Sequence, residues 1–329
     1  MTTQKKVGVH DLERGYLLVK EDWMRRVVRI QALVCRGLRE HLDHEGFVEI
    51  LPPIIGPVTD PGIRGALQVG FSYYGKTYKV MSSAILYKQM MASSLDRIYI
   101  MSPNVRLEMM ETVKTKRHLT EFVQADVELS NVDYTKAMGL AEELLVSVCS
   151  YVKQQDKGDL VALNPAFEVP LKPFARISYD EAIDRLRVAG YELSYGNELP
   201  WDSEEVLSSM FTQPFFIYDY PLSARGFYDR EDPSRPGILR DFDLMYPLGY
   251  GEAASGGERE FEYDKVVTRM KRAGQRPEDY GWYLDMLREG VKPSAGFGVG
   301  IERLTRFICG LDAIWEARPY PKVAGVHSP

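Results

Sequence analysis

Between residues 21 and 44, Trp23, Val27, Ile30, Val34, Leu38 and Leu42 recur every three or four positions, the spacing of one helical face. A helix with such a stripe must lay it on a second layer. Gly46 ends it, and FVEILPPII follows as a short strand closed by Pro52 and Pro53, then a Gly/Pro-punctuated loop to about Gly70 that is long enough to be functional. Strand-like runs continue with KTYKVM, RIYIMSP, NVRLEMM and EFVQADVELS, and later with PFFIYDYP, ILRDFDLM, YGEAASGGERE and SAGFGVG. Helices are predicted over residues 83–91, 134–153, 179–188, 263–273 and 277–288, and the segment IERLTRFICGL closes the series as a helix fed directly by SAGFGVG. Strands in several runs with helices between and after them predict an α+β fold, an antiparallel sheet flanked by helices.

Composition bounds the function classes. With 329 residues, 45% of them hydrophobic, the chain can bury a sizeable core, and a net charge of −6 argues against a surface built chiefly to neutralise nucleic-acid phosphates. Cys35, Cys149 and Cys309 stand far apart in apolar helical stretches and read as buried thiols of a reducing compartment. The N-terminus MTTQKKVGVH has no apolar signal core and no stretch is long enough to span a membrane, so a cytoplasmic location without a membrane partner is expected.

Three segments concentrate charge. Arg106 and Glu108, two apart, share one face of a predicted hairpin whose partner strand carries Phe122 and whose charged loop carries Arg117 and His118. A fixed guanidinium grips phosphate and a neighbouring ring stacks on a base, although such an Arg/Glu pair is also a common surface ion pair. The run DFDLMYPLGYGEAASGGERE offers Asp243 and Glu252 as hard oxygen ligands for magnesium, then Arg259; solvated acids around a glycine turn are the plainer alternative. In GFGVGIERL, small residues let a backbone approach closely and Arg303 emerges at a helix start, which suits an anion as well as a tight strand-to-helix turn.

Together these segments resemble motifs 2 and 3 of class II aminoacyl-tRNA synthetases, at about residues 104–129 and 294–311, and the helix and strand at about 24–53 resemble motif 1, the dimer-forming element. ILYKQ, RHLTEF, GEAASGGERE and AGFGVGIERL look like the aspartyl and asparaginyl subgroup. The chain is expected to form a single class II synthetase-like catalytic domain over residues 1–329, with an irregular insertion at about 155–205 and no anticodon-binding barrel ahead of motif 1. VTDPG, SPNVRLE, GFYDRE, SGGEREFEYDK and KPSAGFGVGIERL match the look of the archaeal asparagine synthetases related to asparaginyl-tRNA synthetase.

The resemblance implies site roles. Arg106 would hold the α-phosphate of ATP, with Arg303 on the γ-phosphate from the other side; Glu108 would sit by the adenine amino group and Phe122 would stack on the base. Arg117 and His118 would cover the outer phosphates, while Asp243, Glu252 and Ser255 would position magnesium (Mg2+). Ser82, Lys88, Asp126 and Arg259 would bind the substrate: Lys88 and Arg259 grip its carboxylate and Asp126 contacts its amine. Lys88 stands where asparaginyl enzymes have an acid, so an aspartate-like acid is expected; Ile85 replaces the glutamine of aspartyl enzymes, which suits activation of the β-carboxylate. The expectation is an AMP-forming aspartate–ammonia ligase, a homodimer that makes asparagine through aspartyl-AMP, with tRNA an unlikely partner. The alternatives are an amide ligase joining an aspartate-like acid to another amine in a specialised pathway, or a truncated aspartyl/asparaginyl-tRNA or carrier-protein aminoacylating enzyme. A synthetase-like regulatory protein is disfavoured because Arg106, Arg259 and Arg303 are all present.

Overall fold

The computed structural model describes residues 7–329. In chain order it comprises α1 (Gly15–Leu18), α2 (Asp22–His44), β1 (Val48–Glu49), β2 (Ile55–Gly56), β3 (Gly70–Tyr73), β4 (Lys76–Val80), α3 (Ile85–Leu95), β5 (Arg97–Val105) and β6 (Glu121–Ser130). Then come α4 (Tyr134–Gln155), α5 (Lys157–Leu163), β7 (Ala175–Ser178), α6 (Tyr179–Val188), α7 (Trp201–Ser209) and β8 (Phe215–Tyr218). The series closes with β9 (Asp241–Tyr246), β10 (Gly251–Glu258), α8 (Tyr263–Arg272), α9 (Gly281–Glu289), β11 (Ser294–Gly300) and α10 (Ile301–Cys309).

The main sheet has 8 strands in the order β1-β5-β6-β11-β10-β9-β8-β7. Its interior pairs are antiparallel and only the outermost pairs, β1 with β5 and β7 with β8, are parallel. The expected antiparallel sheet flanked by helices is therefore present. β2, β4 and β3 form a separate 3-stranded sheet.

Strand alternation sorts the two faces of the main sheet. Val123, Ala125, Val127 and Leu129 of β6, with Ala295, Phe297 and Val299 of β11, enter one apolar core with Val27, Ile30, Val34, Leu38 and Leu42 of α2 and the buried faces of α4 and α10. Each aliphatic side chain buried there contributes about 1.5–3 kcal/mol. Five of the six stripe residues read from the sequence of α2, Val27, Ile30, Val34, Leu38 and Leu42, are fully buried, and Trp23 is partly buried. On the opposite face Ala84, the N-cap of α3, and Ala92 within it pack against Ile98 and Ile100 of β5. Cys149 and Cys309 are buried as expected, whereas Cys35 is half-buried.

Three local expectations change. RIYIMSP and NVRLEMM are not two strands, because β5 runs through Pro103 to Val105; Pro103 pairs in register with Val123. Arg106 and Glu108 lie beyond the strand end, where the chain stays extended through the bridge of Leu107 to Leu67. The 155–205 region is mostly regular: it holds α5, β7, α6 and the start of α7, and β7 extends the main sheet. Its elements are too short to give a long periodic signal. Among the described residues no helix is long and apolar enough to cross a membrane. Leu51 and Ile54, at the end of the predicted dimer segment, are 93% and 63% exposed.

β11 uses its glycines on the face opposite Phe297. A Cβ at Gly296 would lie 2.1 Å from both the Val127 carbonyl and Glu128 Oε2, and one at Gly298 would lie 2.9 Å from Asp126 Oδ1. Gly296→Ala should therefore push β11 off β6 and destabilise the fold by about 1–3 kcal/mol. Thermal unfolding of the variant checks this, and an unchanged Tm would show that the strands can spread at no cost.

Candidate active site

The face of the sheet not covered by α2 and α4 floors a cavity of about 430 Å³. Phe122, Gln124 and Asp126 of β6, Gly298 and Gly300 of β11, and Glu252 and Ser255 of β10 line it, while Arg106, Glu108, Arg117 and His118 enter from the β5–β6 connection. The segment after Val58 adds Asp60 and Arg64, and Arg303 rises from the first turn of α10. The sequence motifs thus converge on one hollow.

At its centre the Arg106 guanidinium lies 5.1 Å over the Phe122 ring, and Arg106 Nε donates to the Ser82 carbonyl at 3.1 Å. That bond leaves the far edge of the guanidinium facing the cavity. Burial pushes the Glu108 carboxyl up from its ordinary value, against the opposing pull of Arg106 and Arg303. Arg303 Nη1 meets Glu252 Oε1 at 3.1 Å. Burial works to raise Glu252, but Arg303, Arg64 and Arg117 outweigh it and hold the carboxyl well below the usual range.

The outer end has unforeseen members. Arg117 Nη2 donates to Glu204 Oε2 at 2.6 Å, and a Cβ at Gly251 would sit 2.3 Å from the Arg117 guanidinium, so glycine there gives the arginine its space. Arg64 Nη1 donates to the other oxygen of Glu204 at 2.8 Å, and Arg64 also pairs with Glu198. Sequence reading passed over Arg64, Glu198 and Glu204; the only signal was the place of Arg64 in a long loop and of Glu198 in the YGNELPWD stretch, with Glu204 just beyond it on α7. His118 packs on Trp201 with ring centroids 4.7 Å apart and its Nδ1 is 2.7 Å from Thr115 Oγ1.

Asp243 was expected as a magnesium ligand. Its Oδ2 is held by Arg225 Nη2 at 2.5 Å and it does not line the cavity, although its Oδ1 is buried without a partner. Glu252 and Ser255 do face the cavity, and their oxygens have the hardness magnesium prefers. They are too few for an all-protein cage, so these residues fit a magnesium ion whose other ligands come from substrate phosphates and water.

At the inner end Lys88 is buried, with Nζ 3.1 Å from Asp126 Oδ1, 3.2 Å from the Phe297 carbonyl and 3.7 Å from Glu128 Oε2. Arg259 forks onto Glu128, with Nε to Oε1 and Nη2 to Oε2 both at 3.1 Å, and its Nη1 reaches Asp229 Oδ1 at 3.3 Å. Asp126 Oδ2 is buried without a partner. Ser82 is fully buried beneath this end, bonded to Thr59 and to the Asp60 carbonyl, and its neighbour Ser83 lines the cavity in its stead.

A family model described as tRNA synthetases class II (D, K and N) matches residues 9–324. The chain belongs to that family. This synthetase-family chain is 35% identical over 322 residues to the asparagine–tRNA ligase of Pyrococcus abyssi, a match covering 94% of this chain and 71% of that one. The asparagine–tRNA ligase of Thermococcus kodakarensis gives 35% over 323 residues, covering 94% and 72%. The crystal structure of asparaginyl-tRNA synthetase from Pyrococcus horikoshii complexed with asparaginyl-adenylate superposes with a TM-score of 0.91 at 32% identity, covering 98% of this chain and 74% of that chain. The chain is an enzyme, an ATP-binding ligase of this family, and the family uses ATP with magnesium.

Two expectations fall with these findings. The aspartate–ammonia ligase reading is overturned, because relatives matching 94% of the chain are asparagine–tRNA ligases, and the exclusion of tRNA goes with it. The Ile85 argument for β-activation goes with that reading; Ile85 lines the cavity and also packs in the apolar cluster with Val58, Leu86, Phe227 and Tyr228.

Burial, with Arg303 and Arg117 nearby, pulls His118 down from 6.5 to about 2. The folded state therefore keeps His118 neutral while the unfolded chain takes up a proton near pH 6.5, so this contribution is complete above that pH and is lost as pH falls below it. Between about pH 6.5 and 4.5, His118→Asn should flatten the fall of Tm seen in the parent chain. Parallel slopes in denaturation scans at several pH values would contradict the assignment.

Proposed function

We propose that this enzyme activates asparagine with ATP and transfers the asparaginyl group to tRNA. One observation carries the reading: a single cavity joins an arginine-and-aromatic nucleotide end to a buried, charge-balanced amino-acid end. In this reading adenine stacks on Phe122 beside Glu108, and Arg106 faces the α-phosphorus. The amino-acid carboxylate attacks that phosphorus in line, the bond to the β-phosphate oxygen breaks, and diphosphate leaves toward Arg117 and Arg303. The terminal ribose hydroxyl of tRNA then attacks the acyl carbon, and AMP departs. Alignment and fixed positive charge supply the catalysis, and no protein nucleophile is required. Glu252 and Ser255 would help hold magnesium, which draws charge from the phosphates when bound.

The charge balance supports an amide side chain over an acidic one. Lys88 and Arg259 already face three carboxylates, Asp126, Glu128 and Asp229. A substrate carboxylate would add another negative charge to a site where water is excluded, which is costly. An amide asks only for hydrogen bonds, and the bare Asp126 oxygen suits the substrate ammonium.

Asparagine should drive exchange of labelled diphosphate into ATP, and tRNA should then be acylated. Arg106→Ala should lower the exchange rate by about a hundredfold or more. Exchange driven by aspartate alone would mean that Lys88 reads a carboxylate; exchange without acylation of any tRNA would leave adenylation standing and remove tRNA as the acceptor.

A further inference from the structure

We propose that Arg64 is a further diphosphate-binding residue, positioned by Glu204, and that Glu198 holds the place of a phosphate oxygen on Arg64 until nucleotide arrives. The inference rests on the reading that the cavity takes ATP, and it gives the 155–205 region a role in that chemistry.

Glu204 is 2% exposed and uses one oxygen for Arg117 and the other for Arg64, at 2.6 and 2.8 Å. One carboxylate therefore sets the spacing of two guanidiniums that come from separate segments. Both aim at the end of the cavity where Arg303 holds Glu252, and Arg64 Nη2 lies 3.9 Å from Glu252 Oε2. The loop bearing Arg64 is tied down, since Asp60 Oδ1 accepts from Gly62 N at 2.8 Å and from Tyr228 OH at 2.9 Å. Arg64 itself adopts φ 45, a backbone state that side chains rarely take without compensation.

Glu198 differs from Glu204. Its side chain is 27% exposed, it lines the cavity, and it bonds Arg64 and, at 2.8 Å, Arg225 Nη1. Arg225 keeps Asp241 at 3.1 Å and Asp243 at 2.5 Å when Glu198 is gone, and Arg64 keeps Glu204. Glu198 can therefore yield its position to a phosphate oxygen without stranding either arginine, whereas without Glu204 the buried Arg117 keeps the Trp201 carbonyl but loses its ion pair.

The two acids predict opposite signs. Calorimetric titration with inorganic diphosphate and with MgATP should show Arg64→Ala weaker by on the order of tenfold to a hundredfold, one pair of charge-assisted hydrogen bonds. Glu204→Gln should weaken both ligands in the same direction. Glu198→Gln should tighten diphosphate by about threefold or more by removing a competing anion. An acyl-sulfamoyl adenosine, which lacks the β- and γ-phosphates, should bind the Arg64→Ala variant and the parent chain alike. Equal loss of that analogue, or weaker diphosphate binding by Glu198→Gln, would show a merely structural role and overturn the inference. Should Arg64→Ala fail to fold, the sign of the Glu198→Gln effect still decides. A parent chain that binds neither MgATP nor diphosphate would instead overturn the ATP reading itself.

Discussion

The structure depends on one strand that is apolar on one side and charged on the other. Along β6, Val123, Ala125, Val127 and Leu129 join the core under α2, α4 and α10, while Phe122, Gln124 and Asp126 line the cavity and Glu128 is buried beside them. Burying Asp126 and Glu128 in a sheet centre is costly unless each carboxylate is paired. Lys88 from α3 and Arg259 from beyond β10 supply the pairs, so helix and strands on both sides of β6 are fixed by charge as well as by packing. The small residues of β11 follow from this. Gly296 and Gly298 sit beside Glu128 and Asp126, where any side chain would strike a carboxylate.

That dependence explains what could be read in the sequence. Period-two alternation in EFVQADVELS and SAGFGVG and the stripe of α2 are local signals of long elements, and β6, β11 and α2 stand where they were expected. Arg106, Phe122, Glu252, Arg259 and Arg303 were legible as charged or aromatic residues in segments that concentrate charge, Asp126 only through the family resemblance, and all six line the cavity. In the 155–205 region only the helix at 179–188 was legible; the other elements are short, and their meaning lies in contacts with segments distant in sequence. Glu204 is an ordinary acid on an ordinary helix until Arg117, 87 positions away, is placed against it. Arg64 likewise gains a meaning only through a partner 140 positions on.

The misplaced emphasis was chemical rather than structural. The resemblance offers Lys88 as a grip on a substrate carboxylate, and in the fold its ammonium already meets Asp126, Glu128 and the Phe297 carbonyl. A residue's formal charge says little about the charge a ligand will meet, because the neighbours that neutralise it come from other strands. Asp243 teaches the same point with opposite sign. A carboxylate suited to a metal is bound instead by Arg225, whose guanidinium lies 3.8 Å over the Tyr220 ring.

The two ends of the cavity solve different electrostatic problems with similar residues. The inner end surrounds two cations with three carboxylates and leaves one Asp126 oxygen bare, an arrangement suited to a substrate that brings an ammonium and no further negative charge. The outer end gathers Arg64, Arg117 and Arg303 around Glu252, Glu204 and Glu198, so that guanidiniums which would repel one another without ligand are kept apart by acids from two segments, 198–204 and β10. In the proposed reading, a polyphosphate entering that end would take the place of Glu198 instead of meeting bare positive charge. The arginines are thereby held in position before substrate arrives, and little reorganisation remains when charge moves onto the leaving diphosphate.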